Sequence, residues 1–111
     1  MKPGSEDYEQ AVFVQWFRAS YPDMLIFAIP NGGSRHIVEA AKLKATGTLA
    51  GVPDLFVPAL RVFIEMKKCK GGRVSDSQNK IAKYLERVGY TVLFCKGAED
   101  AKKQINEEFL K

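Results

Sequence analysis

Apolar residues recur at 12, 13, 16 and 17 and predict a helix over residues 6–20. Ser5 stands where an N-cap belongs, and Pro22 closes the segment. Met24-Leu25-Ile26-Phe27-Ala28-Ile29 is an unbroken apolar run ended by Pro30, the pattern of a buried strand. Asn31-Gly32-Gly33 reads as a turn. Ser34 then caps a second helix over residues 35–46, with Gly47 just past its end. Residues 54–57 and 61–67 predict two strands. On the second, Val62, Ile64 and Met66 share one face, and Phe63, Glu65 and Lys67 share the other. Residues 68–74 form a basic, glycine-containing loop. Ser75 opens a helix to about residue 88, and Gln78 completes a capping box with it before Gly89 ends the segment. A strand over residues 90–95 and a helix over 98–110, with Ala101, Ile105 and Phe109 inward, complete the chain. The order α-β-α-β-β-α-β-α defines a mixed α/β fold, a central sheet flanked by helices, in one domain spanning residues 1–111.

Two features break the apolar-in, polar-out pattern. The first is Glu9, in line with 12, 13, 16 and 17 on the apolar stripe of the first helix; Glu6 shares that line one turn earlier. A carboxylate there needs a reason. The second is the pair of acids on the two central strands. With Ala59-Leu60 as a two-residue turn, Pro58 faces Arg61 and Asp54 falls opposite Glu65. Opposed residues share a face, with Cβ atoms about 4.5–5.5 Å apart. Lys67, two residues on, lies on that face too. Ala-Leu is not a favoured tight-turn pair, so the register is an expectation rather than a consequence of turn chemistry.

Two opposed carboxylates repel unless a cation lies between them. Mg²⁺ suits that place, because it takes one or two carboxylates together with waters and substrate phosphate. Such an ion lowers the pKa of bound water and neutralises charge on phosphate, which is chemistry for cutting a phosphodiester. The Met66 carbonyl, between the two side chains, is a further candidate oxygen. A bare Glu-x-Lys triplet is otherwise a common surface ion pair.

Composition narrows the field without deciding it. Of 111 residues, 17 are Lys or Arg and 13 Asp or Glu, a net charge of +4 that is compatible with a polyanionic partner. Cys69 and Cys95 belong to no Cys-x-x-Cys pair, and with one histidine, His36, they are too few for a zinc site. Both read as reduced structural thiols. No apolar run approaches a membrane span, and no signal core opens the chain, so a soluble cytosolic protein is expected.

Taken in order, Pro30-Asn31-Gly32-Gly33, Gly51-Val52-Pro53-Asp54-Leu55, Phe63-Ile64-Glu65-Met66-Lys67, residues 72–78 and residues 85–92 resemble the PD-(D/E)xK nuclease superfamily, and within it the VRR-NUC domain, a virus-type replication–repair nuclease module. The similarity runs from about residue 9 to residue 105. Lys68, where a small polar residue is more usual, and a slightly longer Gly71-Gly72 loop depart from the pattern.

The resemblance implies a restriction-endonuclease-like sheet and a DNA nuclease dependent on Mg²⁺ or Mn²⁺. By position, Asp54 and Glu65 correspond to metal-binding acids and Lys67 to the catalytic lysine. Glu9 matches the acid of the first helix, holding the metal through water. Glu6 competes for that role, and Glu9 is preferred for its closeness to the large apolar residues. Gln78 matches a glutamine at the start of the helix after the motif, though the capping box alone also accounts for it. Asn31, Ser34 and Arg35, ahead of a helix N-terminus, are candidate phosphate contacts or an ordinary turn. Lys68, Lys70 and Arg73 are candidate backbone contacts or a solvated loop.

Small stand-alone members look like homodimers acting on branched DNA, including four-way (Holliday) junctions. The resulting expectation is a structure-specific endonuclease of DNA repair, leaving a 5′-phosphate and a 3′-hydroxyl. The rivals are a sequence-specific restriction-type nuclease, an inactive DNA-binding or assembly module, and a nuclease acting on RNA.

Overall fold

A computed structural model of the chain describes residues 1–30 and 37–110. Helix α1 spans Glu6–Ser20, and Ser5 accepts the amide of Tyr8 as its N-cap. The helix ends as Tyr21 leaves helical geometry, just before Pro22. Strand β1 covers Phe27–Ala28, α2 Ile37–Ala45, β2 Leu55–Val57 and β3 Val62–Lys67. Helix α3 spans Asp76–Arg87, β4 Thr91–Lys96 and α4 Ala98–Glu108.

Among the described residues the sheet has the order β1-β2-β3-β4. β1 and β2, and β2 and β3, are antiparallel, whereas β3 and β4 are parallel because α3 carries the chain across between them. α1 and α4 pack together, α1 against β3 and α4 against β4. Phe13 and Phe17 of α1 and Ala101 and Ile105 of α4 are fully buried over Leu55, Val57, Val62, Ile64 and Met66. Burying each phenylalanine contributes about 2–3 kcal/mol, so Phe13→Ala or Phe17→Ala would open a large hole in this layer. The opposite face carries a row of rings, Phe27, Phe56, Phe63 and Tyr90, with Phe56 and Phe63 stacked at 4.3 Å between centroids. Arg61 lies 4.3 Å over the Tyr90 ring.

The β2–β3 connection has the predicted register by another route. Leu55 pairs with Ile64 and Val57 with Val62, which carries Asp54 opposite Glu65. The turn is a 3-10 segment, Pro58–Leu60, closed by Arg61 in the left-handed region at φ 54°. Proline at its start supplies the fixed φ, and the Arg61 amide bonds back to the Pro58 carbonyl.

The run 24–29 differs from its reading. It forms only a two-residue edge strand, and Leu25 is 62% and Phe27 39% exposed. An apolar run signals burial, but an edge strand has a neighbour on one side only, and Ile26 alone of the six is buried. Cys69 also differs: it is exposed, while Cys95 is buried, and both thiols are free. Among the described residues no helix is long and apolar enough to cross a membrane.

Candidate active site

Asp54 sits immediately before β2 and Glu65 and Lys67 lie at the end of β3, so the sheet register itself brings the three together. The loop before Asp54 is pressed onto α3. Gly51 has φ +94°, and a Cβ there would lie 2.8 Å from the Ser77 backbone. Only glycine permits that approach, which sets the Pro53-Asp54 corner against the first turn of α3.

Glu65 is 2% exposed and Lys67 7%, an unusual depth for charged groups. Asp54 Oδ2 accepts the Met66 amide at 2.8 Å. Lys67 Nζ donates to Gln78 Oε1 at 2.8 Å and stands 4.0 Å from Glu65 Oε2. Gln78 Nε2 donates to Glu65 Oε2 at 3.1 Å. The same Gln78 Oε1 accepts the Ser75 amide at 2.9 Å, and Ser75 Oγ accepts the Gln78 amide at 3.1 Å. The capping box and the site contact, alternatives in sequence, are therefore one arrangement: the cap holds the Gln78 amide where it bridges Glu65 and Lys67.

Glu65 Oε1 is buried without a hydrogen-bond partner. Burial first, and then the neighbouring Asp54 carboxylate, push the Glu65 carboxyl up to about 8. With both acids ionised neither can donate to the other. Only a shared proton or a cation satisfies that oxygen. The donors on offer are hard carboxylate oxygens, which fit Mg²⁺ or Mn²⁺. Asp54 and Glu65 would hold such an ion. Among the described residues no cluster of three Asp, Glu, His or Cys side chains is placed to ligate one, so waters and substrate phosphate would complete its shell.

Glu9 is elsewhere. Its Oε1 accepts the Ala98 amide at 2.8 Å and its Oε2 the Gly4 amide at 3.1 Å, at the junction of α1 and α4. These amides hold its carboxyl below the usual carboxylate range, against a smaller opposing effect of burial. The α1 acid whose charge reaches Glu65 is Glu6, one turn earlier. Glu9, the acid preferred from sequence, has its oxygens taken by the Ala98 and Gly4 amides. Both acids lie on one helical line, and what separates them is the position of the α4 N-terminus, which periodicity does not carry. Lys68, Lys70 and Arg73 lie exposed on the loop after β3. Asn31, Ser34 and Arg35 lie outside the described residues.

A mixed sheet with Asp54 and Glu-x-Lys at its β2–β3 edge, flanked by helices on both faces, is a restriction-endonuclease-like nuclease fold. A solved structure described as a VRR_NUC domain protein is similar to this chain at a TM-score of 0.76 and 26% identity, over 98% of this chain and 91% of the other. No model of a known protein family and no curated protein matches it. The likeness supports a VRR-NUC-type domain of the nuclease class.

Proposed function

We propose that this domain is a divalent-metal-dependent endonuclease that cuts branched DNA such as four-way junctions. The observation that carries the reading is the buried, partnerless Glu65 Oε1 beside Asp54, with Lys67 held 4.0 Å from the other Glu65 oxygen. A structural ion pair would leave no oxygen unsatisfied. Asp54 and Glu65 hold the metal, and Glu6 adds negative charge from α1. When bound, the ion supplies water activation and charge neutralisation on the phosphate. Lys67, oriented by Gln78 Oε1, presents its remaining protons to the scissile phosphate or the attacking water. The loop of Lys68, Lys70 and Arg73 follows the DNA backbone, a contact that fixes register without reading bases. Symmetric cutting of a junction needs two such sites, so the active form is a homodimer.

The test is cleavage of labelled four-way junction, flap and linear duplex with Mg²⁺, Mn²⁺ or EDTA, beside Lys67→Ala. Metal-dependent junction cutting that is absent in the variant supports the reading. No product from any substrate in either metal overturns it in favour of a binding module, and cutting of linear duplex at one fixed site favours a restriction-type enzyme. Sedimentation of the DNA complex as a monomer at micromolar concentration would remove the dimer.

A further inference from the structure

We propose that Glu9 is a positioning residue for the candidate site: it ties the first turn of α1, and with it Glu6, to the chain leaving β3 after Lys67. The inference rests on the reading of Asp54 and Glu65 as the acids that would hold a metal, with Glu6 adding negative charge from α1.

Four segments meet at the Glu9 carboxylate. Helix α4 begins at Gly97, an N-cap with no side chain to satisfy the first amides. Glu9 Oε1 fills that place from another helix by accepting the Ala98 amide at 2.8 Å. Its Oε2 accepts the Gly4 amide at 3.1 Å, just ahead of the α1 N-cap. The Cys69 thiol donates to the same carboxylate. Two backbone bonds close the circuit: the Cys69 amide to the Gly4 carbonyl at 3.3 Å, and the Gly97 amide to the Lys67 carbonyl at 3.2 Å. The fit is close. A Cβ on Gly97 would lie 2.6 Å from Cys69 Sγ and 3.0 Å from Glu9 Oε1, and Gly97 has φ +91°.

Glu6 is thereby anchored from both sides. Gly4, two residues before it, is held by Glu9, and Glu9 itself stands three residues after it, so the first turn of α1 cannot rotate without breaking the knot. The far end of the knot is the carbonyl of Lys67. A mere helix cap predicts lost stability when Glu9 is altered. A positioning role predicts in addition a loss of metal affinity that depends on Glu6.

The experiment is calorimetric titration of Mn²⁺, alongside the Mn²⁺-induced shift in Tm, on the wild type, Glu9→Gln, Glu6→Gln and the double variant. We expect Glu9→Gln to weaken Mn²⁺ binding about tenfold, the scale seen when a residue orienting a ligand is lost. Glu6→Gln weakens it too, and Glu9→Gln then adds nothing in the Glu6→Gln background. Unchanged affinity in Glu9→Gln with a lowered Tm, or losses that multiply in the double variant, would overturn the positioning role and leave the metal site standing. A wild type that binds no Mn²⁺ sinks the metal site and this inference together. Should Glu9→Gln fail to fold, Cys69→Ala keeps the carboxylate and removes one donor: a smaller loss of affinity in the same direction is expected, and wild-type affinity there overturns the inference.

Discussion

Two buried or half-buried glutamates in this chain are driven in opposite directions. Glu9, at the α1–α4 junction, has a backbone amide on each oxygen and its carboxyl is held low. Glu65, at the end of β3, has one oxygen on Gln78 and the other on nothing, beside a second carboxylate, and its carboxyl is pushed up. Both interrupt an otherwise apolar pattern. The fold itself answers the first. The second keeps one oxygen with no donor among the described residues unless it shares a proton with Asp54, and that conflict is what the proposed metal ion would resolve.

The largest effect belongs to the unsatisfied end. Lys67→Ala removes a buried cation 2.8 Å from Gln78 and should lower the cleavage rate by about 10²–10³-fold, the scale of one charge-stabilising donor. Single-turnover cleavage at saturating metal checks it. The loss should persist at every metal concentration, because the lysine is not a ligand.

Glu65→Gln then separates the two glutamates by the sign of their effect on stability. Without metal it should raise Tm at pH 8, by relieving the repulsion with Asp54, and it should abolish the stabilisation that Mn²⁺ gives the wild type. Glu9→Gln should lower stability at the same pH by on the order of 1 kcal/mol, and Tm with it, because two amides lose a charged acceptor. Thermal melts of both variants with and without Mn²⁺ decide the point. A Glu65→Gln protein less stable than the wild type in EDTA would mean that the acid is structural.

The pH dependence follows with opposite signs. Glu65 ionises near the ordinary 4.5 in the unfolded chain and near 8 in the fold. The unfolded state therefore binds fewer protons across that interval, and the metal-free fold should lose stability as pH rises from about 4.5 to 8. Mn²⁺ should restore it most at the upper end. Glu9 is held low, so its contribution is present above the ordinary carboxylate range and is lost only as pH falls through its lowered value. Melting curves of the wild type and Glu65→Gln between pH 5 and pH 8 should diverge in EDTA and converge with Mn²⁺; parallel curves in EDTA would show that Asp54 and Glu65 are not in conflict.

What could be read in the sequence was local or periodic. The bounds of α1, its Ser5 cap, the Ser75–Gln78 box and the alternation along β3 depend on neighbours three or two residues apart, and the structure has them all. Asp54 opposite Glu65 needed only a count outward from the turn, although the turn's own geometry, a 3-10 segment closed by Arg61 in the left-handed region, was not legible in Ala59-Leu60. What could not be read was decided by distant partners. Glu6 and Glu9 are equivalent on a helical wheel, and only the arrival of Ala98 at the latter tells them apart. The run at residues 24–29 has the hydrophobicity of a buried strand, but its place at the sheet edge is a fact of topology.

Gln78 joins the two kinds of behaviour and gives the smallest of these effects. It lies in the conflicted region yet is itself fully used: Oε1 accepts from both Lys67 and the Ser75 amide, and Nε2 donates to Glu65. Gln78→Ala removes half of the capping box, for a loss of about 1 kcal/mol, and frees Lys67 from its acceptor. The ammonium then turns toward Glu65, the nearest remaining anion, and spends less time facing the substrate. Cleavage should fall about tenfold, a smaller loss than removing the cation itself. Gln78→Glu separates the two contributions, because glutamate also completes a capping box but offers Glu65 no donor. Helix stability should return in that variant while activity does not. Recovery of both would mean that Gln78 serves the helix alone, and that Lys67 is oriented by something other than the cap of α3.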